Sequence, residues 1–156
     1  MVEYILDEYV KALVKGPFSF GVPMLISITI PLNPITKKNS QRIIKNRATG
    51  RPLIIQSKTY KQYEKDCGFF LAKFSSRDPI DEPINLKCLF YRKDRRGVDL
   101  SNCLEAIQDI LKKYGVIKDD NHKIVASVDG SRVLYDKKNP RTEIYIEEIR
   151  DEHSLA

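Results

Sequence analysis

Hydrophobic spacing changes period several times along the chain, and each change predicts an element. Val2, Ile5, Leu6, Tyr9, Val10, Leu13 and Val14 recur at helical intervals, which predicts an amphipathic helix over 2–14 closed by Gly16-Pro17. From Met24 to Pro31, Ile26, Ile28 and Ile30 alternate with Leu25, Ser27 and Thr29, the period of a strand. Pro31 and Pro34 lack the N–H that a sheet ladder needs, so the chain should leave the sheet there and run as a polar, turn-rich stretch to about Gly50. A helix is predicted over 57–75, with Ser57 as N-cap and Tyr60, Tyr63, Cys67, Phe70, Leu71 and Phe74 on one stripe.

Period two returns with Ile84, Leu86, Cys88 and Phe90, predicting a strand from Pro83 to Tyr91 that feeds the basic turn Arg92-Lys93-Asp94-Arg95-Arg96. Leu100, Cys103, Leu104, Ile107, Ile110, Leu111 and Tyr114 predict a second core helix over 100–114, ended by Gly115 in the left-handed conformation. Strands over 123–136 and 142–149 finish the pattern, and no repeat, low-complexity tract or linker interrupts it. The expected fold is α+β: a small single domain with a mixed sheet, two core helices and an extra N-terminal helix. The expected divisions are a helical extension over 1–16, the main domain over 17–150 and a tail over 151–156.

Composition is compatible with that reading. A chain of 156 residues with 42% apolar content can bury roughly two-thirds of the surface its unfolded state exposes. No apolar run approaches the roughly 20 residues that cross a bilayer, so no membrane association is expected. Glu3, Asp7 and Glu8 stand where a secretory signal needs positive charge, which makes the cytoplasm the expected location. Cys67, Cys88 and Cys103 are odd in number, unlike zinc motifs in spacing, and set in apolar segments; they are expected to be reduced core residues.

Charge changes the picture more. The net charge is +6, and no Asp or Glu occurs between Glu8 and Glu64, where Lys11, Lys15, Lys37, Lys38, Arg42, Lys45, Arg47, Arg51, Lys58 and Lys61 all lie. A run of one sign attracts phosphate, whereas ordinary solvated faces mix both signs. The densest part, Lys37 to Arg51, has no aromatic residue, which favours backbone contact over base stacking. Lys37, Lys38, Asn39 and Arg42, together with Arg92, Arg95 and Arg96, are the candidate nucleic-acid contacts.

Against this basic background the acids around the second helix stand out. Asp99 precedes the helix, and Asp119 and Asp120 follow its closing turn. A helix cap is the alternative reading of Asp99, and a β-turn that of Asp119-Asp120-Asn121. Asn102, Glu105 and Asp109 recur on one helical face, where the two acids repel unless a cation or basic side chain lies between them. Two carboxylates about 4 Å apart repel by roughly 4 kcal/mol at an effective dielectric near 20. A magnesium ion, or manganese in its place, removes that repulsion and retains water for attack on a phosphodiester. The expectation is that the acids bracketing the helix converge on one cation.

Gly97-Val98-Asp99-Leu100-Ser101-Asn102, then Asp109-Ile110-Leu111, then Gly115-Val116-Ile117-Lys118-Asp119-Asp120 resembles the RusA family of Holliday-junction resolvases. The family pattern is an Asp-Leu-Asp-Asn opening, a helix with Asp-Ala-Leu, and a Gly-x-x-x-Asp-Asp close. Ile30 to Ser40, with Pro31, Pro34, Lys37 and Lys38, resembles the proline-rich basic opening of phage-borne members, so the likeness spans about residues 25 to 148. The resemblance implies a homodimeric α+β endonuclease, magnesium-dependent, that makes paired nicks in four-way DNA junctions. It assigns Asp99 and Asp120 to metal binding and catalysis and gives Asp119 a supporting role. Two positions depart from the pattern. Ser101 stands at the second aspartate, and Glu105 stands at a basic residue associated with catalysis. Glu105 could supply the missing carboxylate, with Asp109 as a further metal ligand on the same face, and Arg92, Arg95, Arg96 or Lys112 could supply the lost positive charge.

Three function classes follow from these residues: a metal-dependent endonuclease, a branched-DNA binder whose Ser101 and Glu105 record weakened or lost catalysis, and an adaptor whose N-terminal helix recruits a partner.

Overall fold

In the computed structural model, which describes residues 24–38 and 41–149, the centre of the molecule is the strand with the cleanest period-two pattern. The strands are β1 (Met24–Ile30), β2 (Gln41–Lys45), β3 (Pro52–Gln56), β4 (Ile84–Arg92), β5 (Val125–Ser127), β6 (Arg132–Tyr135) and β7 (Arg141–Glu148). The helices are α1 (Lys58–Leu71), extended by a 3-10 turn over Ala72–Phe74, and α2 (Leu100–Lys113). The proposed helix over 2–14 and the tail from 151 lie outside the described residues.

β4 pairs antiparallel with β7, and β7 with β1; on its other edge β4 pairs parallel with β5 near Ile84 and with β6 from Leu89 to Arg92. The sheet is mixed, as α+β patterning predicts. Ile84, Leu86, Cys88 and Phe90 of β4 are buried together with Ile144 and Ile146 of β7 and Ile28 and Ile30 of β1. The same core takes in Tyr60, Tyr63, Cys67 and Leu71 of α1 and Cys103, Ala106, Ile107, Ile110 and Leu111 of α2. Burying each such large side chain stabilises the fold by roughly 1.5–3 kcal/mol. The three cysteines are free and buried, and burial pushes the Cys67 thiol up to about 12 and that of Cys103 to about 11. Thiols held this far from ionising are inert packing groups.

Both helices end as their sequences predict. Ser57 Oγ accepts the Tyr60 N–H at 3.1 Å and caps α1. At the end of α2, the Gly115 N–H donates to the Lys112 carbonyl and the Val116 N–H to the Leu111 carbonyl, the paired bonds of a Schellman motif. Gly115 has φ +72°, a conformation that costs a β-carbon.

Two regions differ from expectation. The predicted strand over 123–136 is two short strands, because the chain turns at Gly130 (φ +83°) and a side chain replaces part of the ladder. Ser131 Oγ accepts the Cys88 N–H at 3.0 Å and donates to the Leu86 carbonyl at 3.3 Å. The stretch expected to be loop as far as Gly50 contains half of a hairpin, β2 paired antiparallel with β3. Its turn is built by Asn46, whose Oδ1 accepts the N–H groups of Ala48 and Thr49 at 2.9 and 3.3 Å, and by Gly50 at φ +69°.

Candidate functional site

One end of the sheet gathers the basic loop. Ile30 of β1 and Phe90 of β4 both flank Thr142 of β7, so the chain leaving β1 emerges beside the end of β4. Asn33, between the two prolines, fastens this loop by accepting the Lys93 N–H at 2.9 Å. Sequence reasoning missed Asn33; its only signal was an amide flanked by residues that end a strand.

Between this loop, the hairpin and the start of α1 lies a cleft of about 440 Å³ whose lining includes Thr36, Arg42, Ser57, Arg92 and Val98. Arg42 and Arg92 thus line one cleft, and so does Val98, the residue before Asp99 in the chain. Arg92 is held by the Arg96 carbonyl, 2.5 Å from Nη1, and by Asp94, 3.3 Å from Nη2. Arg95 is stacked over Tyr135, 4.2 Å from the ring centre. These arginines belong to the same end of the sheet as the cleft, while Asn39 lies outside the described residues.

Asp99 is the N-cap residue of α2, yet its carboxylate does not cap the helix. Among the described residues, its carboxylate accepts a hydrogen bond from Asn102 Nδ2, at 3.2 Å. Asn102 is itself buried and Asp99 is exposed, so a fixed amide holds a carboxylate that keeps further acceptor capacity.

Farther along α2, each acid holds a lysine. Lys38 Nζ lies 3.1 Å from Glu105, and Lys37 is paired with Asp109. The like-charge repulsion between Glu105 and Asp109 is therefore relieved by two cations from the 31–38 loop. At Glu105, where the family pattern has a basic residue, Lys38 returns a positive charge from another part of the chain.

Asp119 and Asp120 lie beside the last turn of α2, because Lys112 Nζ reaches both, at 2.5 and 3.0 Å. Asp119 also accepts the Asp120 N–H at 2.9 Å. The Lys112 hydrogen bond is the largest cause holding the Asp119 carboxyl well below the usual carboxylate range. The residues on either side of the pair are tied near the opposite end of the sheet: before it the Lys118 N–H donates to the Ile80 carbonyl, and after it the Ile124 carbonyl accepts the Ile84 N–H.

The expected convergence of Asp99 with Asp120 is therefore absent within one chain. Lys112 is thirteen residues beyond Asp99 along a helix that rises about 1.5 Å per residue, so roughly 20 Å of axis separates the two positions. Among the described residues, no three His, Cys, Asp or Glu side chains form a group able to hold a metal ion. The donors nevertheless suit a hard divalent cation, as two partial sets: the exposed Asp99 carboxylate, and the Asp119–Asp120 pair that already grips an ammonium. Among the described residues no helix is long and apolar enough to cross a membrane.

A search of curated proteins gave no match. The family model for endodeoxyribonuclease RusA matches residues 31–147, a span that holds the basic loop, the cleft and every acid around α2. The chain belongs to the RusA family of endodeoxyribonucleases.

Proposed function

We propose that this protein is a magnesium-dependent, structure-selective endonuclease that resolves Holliday junctions or related branched DNA as a homodimer, each metal site being shared by two copies. The observation that carries the reading is the length of α2, with Asp99 at one end and the Lys112-bound Asp119–Asp120 pair past the other. In an isologous dimer, a residue of one copy meets a different residue of the second and the reverse holds by symmetry. Asp99 of each copy can then join Asp120 of the other. Two equivalent sites result, as paired nicks across a four-way junction require.

In this reading Asp99 and Asp120 hold the ion and Asp119 orients the pair through its bonds to Lys112 and the Asp120 amide. Magnesium, when bound, neutralises charge developing at phosphorus and acidifies a water molecule. Glu105 and Asp109 would offer further carboxylate oxygens only on releasing Lys38 and Lys37, which would then be free for backbone phosphates. Arg42 and Arg92 hold the DNA backbone in the cleft beside Asp99, and Arg95 and Arg96 extend that surface. Manganese is the expected substitute metal, and the cytoplasm the expected location.

The test is cleavage of a synthetic four-way junction by Asp99→Asn, Asp120→Asn and an equal mixture of the two after subunit exchange. Each variant alone should be inactive while still binding the junction. The mixture should recover about a quarter of wild-type nicking, since half the dimers carry one intact site. An inactive mixture would refute the shared site. Junction binding by wild type without cleavage in either magnesium or manganese would select the non-catalytic binder that Ser101 and Glu105 suggest.

A further inference from the structure

We propose that the β2–β3 hairpin is an apolar wedge, flanked by cations, that enters the branch point of junction DNA and holds its bases apart. The partner named here rests on the branched-DNA reading above. β2 and β3 form their own two-stranded sheet, separate from the main one. A ribbon of two strands has little stability by itself, so large apolar side chains left in water upon it need a reason. Ile43 and Ile54 are directly paired across the strands and are 75% and 63% exposed. On the opposite face the paired Ile44 and Leu53 are exposed as well. Apolar groups this open mark a surface that another molecule covers.

Charge identifies the partner. Residues 41–56 contain Arg42, Lys45, Arg47 and Arg51 and no acid. Hairpins of two copies would repel one another, whereas a polyanion is attracted from every side. Lys45, two positions from Ile43, falls on the same face. An apolar tip between cations is the arrangement by which proteins part base steps while gripping the adjoining phosphates. A branch point offers the least resistance, because its pairs are already imperfectly stacked. The turn bonds of Asn46 keep the ribbon in one shape, and Arg42 at its root lines the cleft together with Arg92 and Val98.

The experiment uses a four-way junction with 2-aminopurine at the crossover, in calcium so that strands stay intact, and compares wild type with Ile43→Ser/Ile54→Ser. Wild type should raise the fluorescence. The double variant should not, and it should bind the junction about tenfold more weakly while duplex binding changes by less than about twofold. Ile43→Leu/Ile54→Leu should restore both signals, and unchanged thermal melting establishes that the serine variant is folded. Wild-type fluorescence and affinity in the serine variant would overturn the wedge, as would a loss of self-association in sedimentation, which would make this face a contact between copies. In a parallel magnesium reaction, cleavage by wild type with an unaffected serine variant refutes the wedge alone. Opening without cleavage refutes the nuclease alone, and absence of junction binding refutes both.

Discussion

Lys112 donates to Asp119 at 2.5 Å across the Schellman turn that ends α2. That contact ties two of the family's acids to the last turn of the helix whose first turn follows Asp99. It also sets the titration of Lys112 and Asp119. The Asp119 hydrogen bond is the largest cause raising Lys112 to about 12, while Asp119 is lowered from its ordinary value of 3.8. For the lowered carboxyl, the associated stability is present above pH 4 or so and is lost as pH falls through the folded value. For the raised amine it is present below about pH 10.5 and is lost as pH rises through about 12.

Lys112→Met should accordingly move the Asp119 titration up towards the ordinary carboxylate range. Carboxyl-carbon NMR over an acid titration reads this directly, and an unmoved midpoint would show that the contact is not made in solution. Neither group is buried, so the melting temperature near neutral pH should hardly change.

Gly115→Ala tests whether the turn positions the acids. A β-carbon at φ +72° meets no neighbour but strains the backbone, at a cost of about 1–2 kcal/mol. The variant should melt at lower temperature and, with Asp119 and Asp120 displaced, nick junctions more slowly than its stability loss explains. A destabilised protein of unchanged activity below its melting range would separate turn from chemistry.

Gly68 of α1 lies under the ring of Tyr114, and a β-carbon there would come within 2.2 Å of Tyr114 Cζ. Overpacking of this kind costs about 1–3 kcal/mol, set against the roughly 1 kcal/mol that alanine gains over glycine in a helix. Gly68→Ala should destabilise the wild-type chain but stabilise the Tyr114→Ala background. Urea denaturation of the four proteins gives the coupling energy, and equal effects in both backgrounds would contradict the contact.

Lys38 distinguishes a structural ion pair from a DNA contact. Its exposed pairing with Glu105 contributes less than about 1 kcal/mol to stability. Lys38→Ala should leave denaturation nearly unchanged, lower junction affinity, and reduce the slope of log affinity against log salt by about one. An unchanged salt slope would confine Lys38 to its acid.

Much of the fold was readable because burial imposes a period. β4 and α2 were placed within one or two residues from Ile84 to Phe90 and from Leu100 to Tyr114, since each has one face in the core. Ser57 and Gly115 were legible as a cap and a stop because their roles are local. β2 and β3 were not, because Ile43, Ile44, Leu53 and Ile54 are exposed and obey no inside–outside rule. The split of β5 from β6 was hidden in the Ser131 hydroxyl, which takes a ladder position that no spacing reveals.

The chain's own order of residues was enough for the family, the helix around which the acids are arranged, and the one-sign run of cations, because each is a local pattern or a count. Which charges meet was decided in three dimensions. Lys37 pairs with Asp109 across 72 positions, Lys112 holds Asp119 and Asp120, and a rigid 14-residue helix keeps Asp99 from them. A motif records that two acids are needed and says nothing of the length of the rod between them.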